Sequence, residues 1–170
     1  MIRALTVVLL ALVLSACGFR LREALVLPEG VSAIRVTSRD DYSPLAQSLE
    51  RSLERAGARL VDARSSERVA TLALRSERWD STPLSLDQFG RAQEYTLRYA
   101  VVFALVDADG DEIVPQQAVE LARDYISVPT DMTGTDTEAE LLGRELQREM
   151  TAAILRRIDA ATRERRQAVQ

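Results

Sequence analysis

The side chains dense enough to do chemistry in this sequence are carboxylates: Asp107, Asp109, Asp111 and Glu112 in one short run, and the pair Asp40-Asp41. Such clusters are the raw material of a calcium loop or of paired acid–base catalysis. A calcium loop opening at Asp107 needs glycine at its sixth position and glutamate at its twelfth, and the chain has Glu112 and Ala118 there. The run Asp107-Ala108-Asp109-Gly110 has instead the composition of a solvated hairpin turn. Asp40-Asp41 precedes a helix start, where the helix dipole stabilises negative charge without any catalytic task. The sequence contains no histidine and a single cysteine, Cys17. A serine hydrolase of the histidine type is therefore excluded, and the usual general base, thiol nucleophile and soft metal ligands are missing. The chain also lacks a glycine-rich phosphate loop. The residues read as a non-enzymatic protein with no catalytic residue, no metal site and no cofactor.

The basic residues are all arginine, and a formal net charge of −4 argues against broad nucleic-acid binding. Arginine presents a planar fork that suits phosphate and carboxylate. Arg75, Arg78, Arg91 and Arg98, interleaved with Trp79 and Phe89, are a candidate patch for an anionic amphiphile; the alternative is scattered surface charge with both aromatics capping the core. Arg144, Arg148, Arg156 and Arg157 suit solvated pairs along one helix with Glu140, Glu145 and Glu149.

Cys17 has a different context. Arg3 and the apolar run 4–14 form the charged and greasy zones of a signal segment, and Ser15-Ala16 supplies small residues before a cut. The run is shorter than the roughly 20 apolar residues of a spanning helix. Leu14-Ser15-Ala16-Cys17 resembles the bacterial lipobox, in which the thiol is diacylated, the chain is cut before it and the new amine is acylated. Two or more acyl chains hold a protein firmly where one holds it marginally. Residues 1–16 are thus expected to be a lipoprotein signal peptide and residues 17–170 one lipid-anchored domain, with no thiol left for a disulfide.

The elements that position these residues follow in order. Residues 33–38 alternate as a strand, and Ser43-Pro44 caps a helix with Leu45, Leu49 and Leu53 on one side, stopped by Gly57. Residues 60–61 and 69–75 suit a second strand, and the polar stretch 76–92, with Pro83 and Gly90, reads as a long connection. Residues 95–106 and 112–126 predict a long hairpin, irregular at Pro115. A polar loop over 128–136 leads to a capping box at Thr137-Glu138-Ala139-Glu140 and a long helix bearing Leu142, Leu146, Met150, Ile154 and Ile158. The expectation is an α+β single domain: a mixed sheet of about four strands with two helices packed on one face.

Three stretches carry a resemblance: Cys17-Gly18-Phe19-Arg20-Leu21-Arg22 with Leu27-Pro28 downstream, Gln93-Glu94-Tyr95-Thr96-Leu97, and Ala122-Arg123-Asp124-Tyr125. Together with the glutamate-led final helix, they are similar to the LPS-assembly lipoprotein LptE family over nearly the whole mature chain. At Arg20 many relatives have histidine. The resemblance implies two helices on a four-stranded sheet. It also implies a non-enzymatic subunit of a Gram-negative outer membrane, sitting as a plug in the LptD β-barrel, assisting that barrel's assembly and binding lipopolysaccharide at its exposed end. Gly18 after the cysteine fits sorting to the outer membrane. With residues 83–93 and 128–136 at that exposed end, Arg91 is the expected lipopolysaccharide contact and Arg78 its helper. The rival readings are an auxiliary lipoprotein of another lipid-transport system and an enzyme using carboxylates.

Overall fold

The computed structural model describes residues 31–127 and 132–168. Cys17, the signal segment and the lead to residue 30 lie outside the described residues.

Strand β1 (Ala33–Ser38) buries Ile34 and Val36 on one face. Helix α1 (Pro44–Arg55) starts as its sequence dictates. The Ser43 hydroxyl accepts the Ala46 N–H at 3.1 Å, and proline at the first helical position forgoes a donor that would be orphaned anyway. Gly57, at φ +92°, takes the left-handed backbone that ends the helix. Leu45, Leu49 and Leu53 are each 0% exposed. Four strands and a second helix follow: β2 (Arg59–Leu60), β3 (Ala70–Leu86), β4 (Ala92–Val106), β5 (Glu112–Ile126) and α2 (Met132–Ala168).

The sheet has the order β2-β1-β3-β4-β5. β1 runs parallel to β2 and β3, and β3, β4 and β5 form an antiparallel ribbon. This is the mixed α+β sheet expected, with the two-residue β2 as a fifth strand. Ile34, Val36, Leu72, Leu74, Val101, Phe103, Leu105 and Val119 form one core with the apolar stripes of both helices, which therefore share a face. Helix α2 lies antiparallel to β5 and is clamped to it at three levels. Arg165 donates to the Glu112 carbonyl, Arg157 to the Ala118 carbonyl at 3.0 Å, and Glu149 accepts from Arg123 at 2.6 Å. Thr151 of α2 meets Ser48 of α1 at 3.2 Å.

Three expectations change. The stretch 76–92 is no connection: β3 continues to Leu86, and only Asp87 to Arg91 turn the chain. No helix covers that half of the strand, and its exposed side chains, mostly polar with Trp79, Leu84 and Leu86 between them, show no period to read. Backbone pairing with β4 holds it extended, from Thr71 opposite Val106 to Leu86 opposite Ala92. Pro83 is compatible because β3 has no strand on its outer edge beyond Leu74 among the described residues. The second correction concerns α2, which begins at Met132, so the Thr137 box lies inside the helix and residues 132–136 are not loop. The third concerns Arg157 and Glu149, which serve the clamps to β5, while Arg144 does pair with Glu140. The irregularity at Pro115 is present as a register shift opposite Phe103 and Leu105.

Where α1 starts, one acid joins it to the sheet. Glu77 Oε1 accepts from the Tyr99 hydroxyl at 2.6 Å and Oε2 from the Ser43 hydroxyl at 2.8 Å. The same Ser43 oxygen caps α1, so the helix start is tied to β3 and β4 through one carboxylate. Trp79 stacks on Tyr99 at 3.8 Å and 9°, roofing the network. Burial, and then the hydrogen bond to Glu77, push the Tyr99 hydroxyl far above its ordinary value.

Leu49→Ala should lower unfolding stability by about 2–5 kcal/mol, because a fully buried leucine leaves a cavity; chemical denaturation reads this, and a loss below about 1 kcal/mol contradicts the packing. Folding keeps Tyr99 neutral, so its contribution is complete below the ordinary tyrosine pKa near 10 and is lost as pH rises toward the folded value. Of the four tyrosines, absorbance titration should find one that ionises only with unfolding, and Tyr99→Phe should abolish that component.

Candidate functional site

Beyond Glu77 the three-stranded ribbon of β3, β4 and β5 runs on, with α2 against β5 as far as Arg123, and its far end is the candidate site. On its helix-side face Tyr95 stacks on Tyr125 at 5.5 Å, and Ser81 meets the Tyr125 hydroxyl at 3.3 Å. On the opposite face Thr96 donates to Asp124 at 2.6 Å, and Arg98 pairs with Glu120 at 3.5 Å. Cross-strand pairs of this kind stabilise the ribbon.

The turn at the end is built on Asp87. Its Oδ1 accepts the backbone N–H groups of Phe89 and Arg91 at 2.8 and 2.9 Å, and its Oδ2 accepts from Arg91 Nε at 2.8 Å. These bonds, the Arg91 backbone N–H first, hold the Asp87 carboxyl below the usual carboxylate range. Gly90 completes the turn at φ +76°. The Arg91 guanidinium stands 5.2 Å over the Phe89 ring. Arg91 is therefore at the tip, exposed and already engaged with Asp87.

Arg78 is not beside it. Eight residues of extended strand, about 27 Å, separate Arg78 from Leu86 at the neck of the turn. Arg78 sits opposite Ala100, on the same side as Arg98 and away from the Trp79–Tyr99 stack. Thus Arg78 and Arg98 group on one face, Arg91 stands alone at the end, and the four arginines do not make one patch. Trp79 does cap buried Tyr99; Phe89 is exposed and caps nothing.

The acidic clusters are turn chemistry. Asp107 Oδ1 accepts the Asp109 and Asp111 N–H groups at 2.9 Å each, and Asp40 Oδ1 accepts the Tyr42 N–H at 2.9 Å. Among the described residues no three acidic side chains converge as a metal site.

The sequence reading missed the apolar side chains of the tip. Leu84, Leu86 and Ile126 are exposed there with Phe89. Leucines in a polar stretch, Leu84-Ser85-Leu86, are the signal that was available.

Comparison with known proteins places this architecture. The family model for LptE, lipopolysaccharide-assembly, matches residues 31–158, from just before β1 to Ile158 of α2. The LPS-assembly lipoprotein LptE of Photorhabdus laumondii is 26% identical over 150 residues, covering 88% of this chain and 81% of that protein. The solution structure of lipoprotein B from Nitrosomonas europaea superposes with a TM-score of 0.70 at 26% identity, covering 85% of this chain and 92% of the other. The crystal structure of rare lipoprotein B from Shewanella oneidensis gives 0.65 at 26% identity, covering 75% and 94%. With its fold and three quarters of its length inside the family's pattern, the chain belongs to the LptE lipopolysaccharide-assembly family.

Proposed function

We propose that this protein is an outer-membrane lipoprotein, anchored through an acylated Cys17, that plugs and helps assemble an LptD-type β-barrel and binds lipopolysaccharide on its way to the outer leaflet. The observation that carries the proposal is the bare ribbon in a chain of this family: β3 has 17 residues and β1 beside it has six. The far half of β3, exposed and with no strand on its outer edge among the described residues, is surface for a partner to cover. A barrel wall suits it because the ribbon is long, narrow and stiffened by its own cross-strand pairs.

Arg91 at the tip and Arg78 on the ribbon face remain the basic residues proposed to meet lipopolysaccharide, now as separate contacts. Reversing Arg91 to Glu should weaken binding of purified lipopolysaccharide more than the same change at Arg148, which is exposed on α2. The role is binding and assembly, and it requires no catalytic group.

Purification of the tagged full-length protein from detergent-solubilised outer membrane should bring down a large β-barrel in stoichiometric amount. Recovery without a barrel overturns the plug and favours an auxiliary lipoprotein of another lipid-transport system. A partner that binds only the native state adds to its stability, so the complexed domain should melt higher than the free one; coincident melting counts against the plug. Cys17→Ala should leave the protein in the periplasm or with its signal uncut, and fractionation with membranes in a strain lacking the barrel would remove the anchor.

A further inference from the structure

The direction of the backbone groups separates the two long edges of the ribbon. The Ser127 N–H donates to the Gln93 carbonyl at 2.7 Å, and the β4–β5 register is unbroken from Glu94 to Phe103. Backbone groups in an antiparallel ladder alternate sides from one residue to the next, so Tyr95, Leu97, Tyr99 and Val101 bond across to β5. Their opposite residues on β3, Pro83, Ser81, Trp79 and Glu77, therefore turn their N–H and C=O groups outward. Proline, with no N–H to give, stands on one of those rungs, as this arrangement requires. On the β5 edge such outward groups are met: the Ala118 carbonyl accepts from Arg157 at 3.0 Å and the Ala122 carbonyl from Arg123 at 2.9 Å. On the β3 edge the rungs from Glu77 to Pro83 have no strand beside them among the described residues.

The position of β1 restricts what can add there. β1 fills this edge as far as Ser38 beside Leu74, so the open rungs prolong its place in the sheet for the length of a short strand, about 24 Å. A second copy pairing antiparallel about Trp79 would bring its own Pro83 level with Arg75 and drive the rest of its β3 into β1. A parallel copy in register sets Arg78 and Asp80 beside their own kind. Residues 17–30 join the chain at the other end of β1, where Ile34 lies beside Ala70. The wall of a closed barrel has its own backbone groups paired around the ring and can touch the ribbon only through side chains. We infer that the outer edge of β3 from Glu77 to Pro83 takes, as an added strand, a short extended segment of the barrel chain that lies outside the barrel wall. Main-chain bonds to Glu77, Trp79 and Ser81 hold it, the mode in which a sheet edge captures an extended peptide. Trp79, 42% exposed beside these rungs, suits an aromatic or β-branched residue of that segment as its cross-strand neighbour. This rests on the reading that the protein plugs a barrel and adds how the barrel chain joins it.

The test removes one outward donor. Ser81→Pro deletes the N–H at an open rung and spares the bonds to β4, while Ser81→Ala keeps that N–H and removes only the hydroxyl that meets Tyr125. Each full-length protein is tagged, purified from detergent-solubilised outer membrane with its barrel, and compared free and complexed by amide hydrogen exchange over residues 76–83. In the unmodified complex the outward amides should exchange about tenfold or more slowly than in the free protein. Ser81→Pro should weaken the complex about fivefold or more, the worth of one backbone bond, with Ser81→Ala close to unmodified and all three free proteins melting alike. Outward amides that stay fast in the complex, or barrel retention equal in the proline and alanine variants, overturn the added strand and leave the plug intact. No barrel with the unmodified protein overturns the plug itself. Amides already slow in the free protein overturn the inference too, in favour of residues 17–30 when the slowing survives dilution and of a second copy when it does not. Where Ser81→Pro lowers the melting of the free protein, exchange in the unmodified complex alone decides.

Discussion

Two layers of unequal length govern this molecule. β3 and β4 pair along nearly their whole extent, but on β3 the helices cover only the part near β1, while α2 follows β5 as far as Arg123. Within the covered part each inward side chain must be apolar and fitted, and Leu72, Leu74, Val101, Phe103 and Leu105 are. Beyond it on β3 the backbone pairing continues over exposed side chains, polar ones with Trp79, Leu84 and Leu86 among them. On β3 the transition falls at Glu77, where a carboxylate takes hydroxyl donors from the helix cap on one side and from buried Tyr99 on the other. A carboxylate in such a place is tolerable only with its oxygens satisfied, and here both are.

The same inequality decides what the sequence discloses. Half-buried elements carry a period, so α1 and its cap, β1, β5 and the covered part of β4 are legible from Leu45, Leu49 and Leu53 or from the alternation through Phe103. The far half of β3 carries none and reads as loop, with Pro83 and the serines reinforcing the error. Its strand character resides in the partner strand, which local composition does not report. α2 shows the converse case: a good local signal at Thr137 is overridden because the helix extends upstream to Met132. Of the candidate site, Arg91 was legible as a cation beside a turn, whereas its bond to Asp87 and its separation from Arg78 depend on register. The tip leucines are plain in the sequence and become informative only once the stretch around them is known to be a ribbon end.

Arginine in this chain does more holding than display. Arg35 spans three carbonyls, those of Asp62, Ser65 and Glu67, at 3.2, 2.7 and 2.7 Å, fixing the loop that precedes β3. Arg123, Arg157 and Arg165 fasten α2 to β5. Planar forks with several donors suit such work, and exposed single pairs such as Arg64–Asp41 at 3.6 Å add little to it. A family role in handling an anionic lipid therefore does not require that most of the arginines face that lipid.

Pro83 has a consequence for the chain before it meets any partner. The outer edge of β3 beyond Leu74 is a row of backbone groups of the kind onto which a second extended chain adds, the route by which sheets aggregate. A proline in the middle of that row deletes a donor, and the charged side chains of Glu77, Arg78 and Asp80 near its start place like against like if two copies meet in parallel register. The edge can thus stay open without templating its own kind.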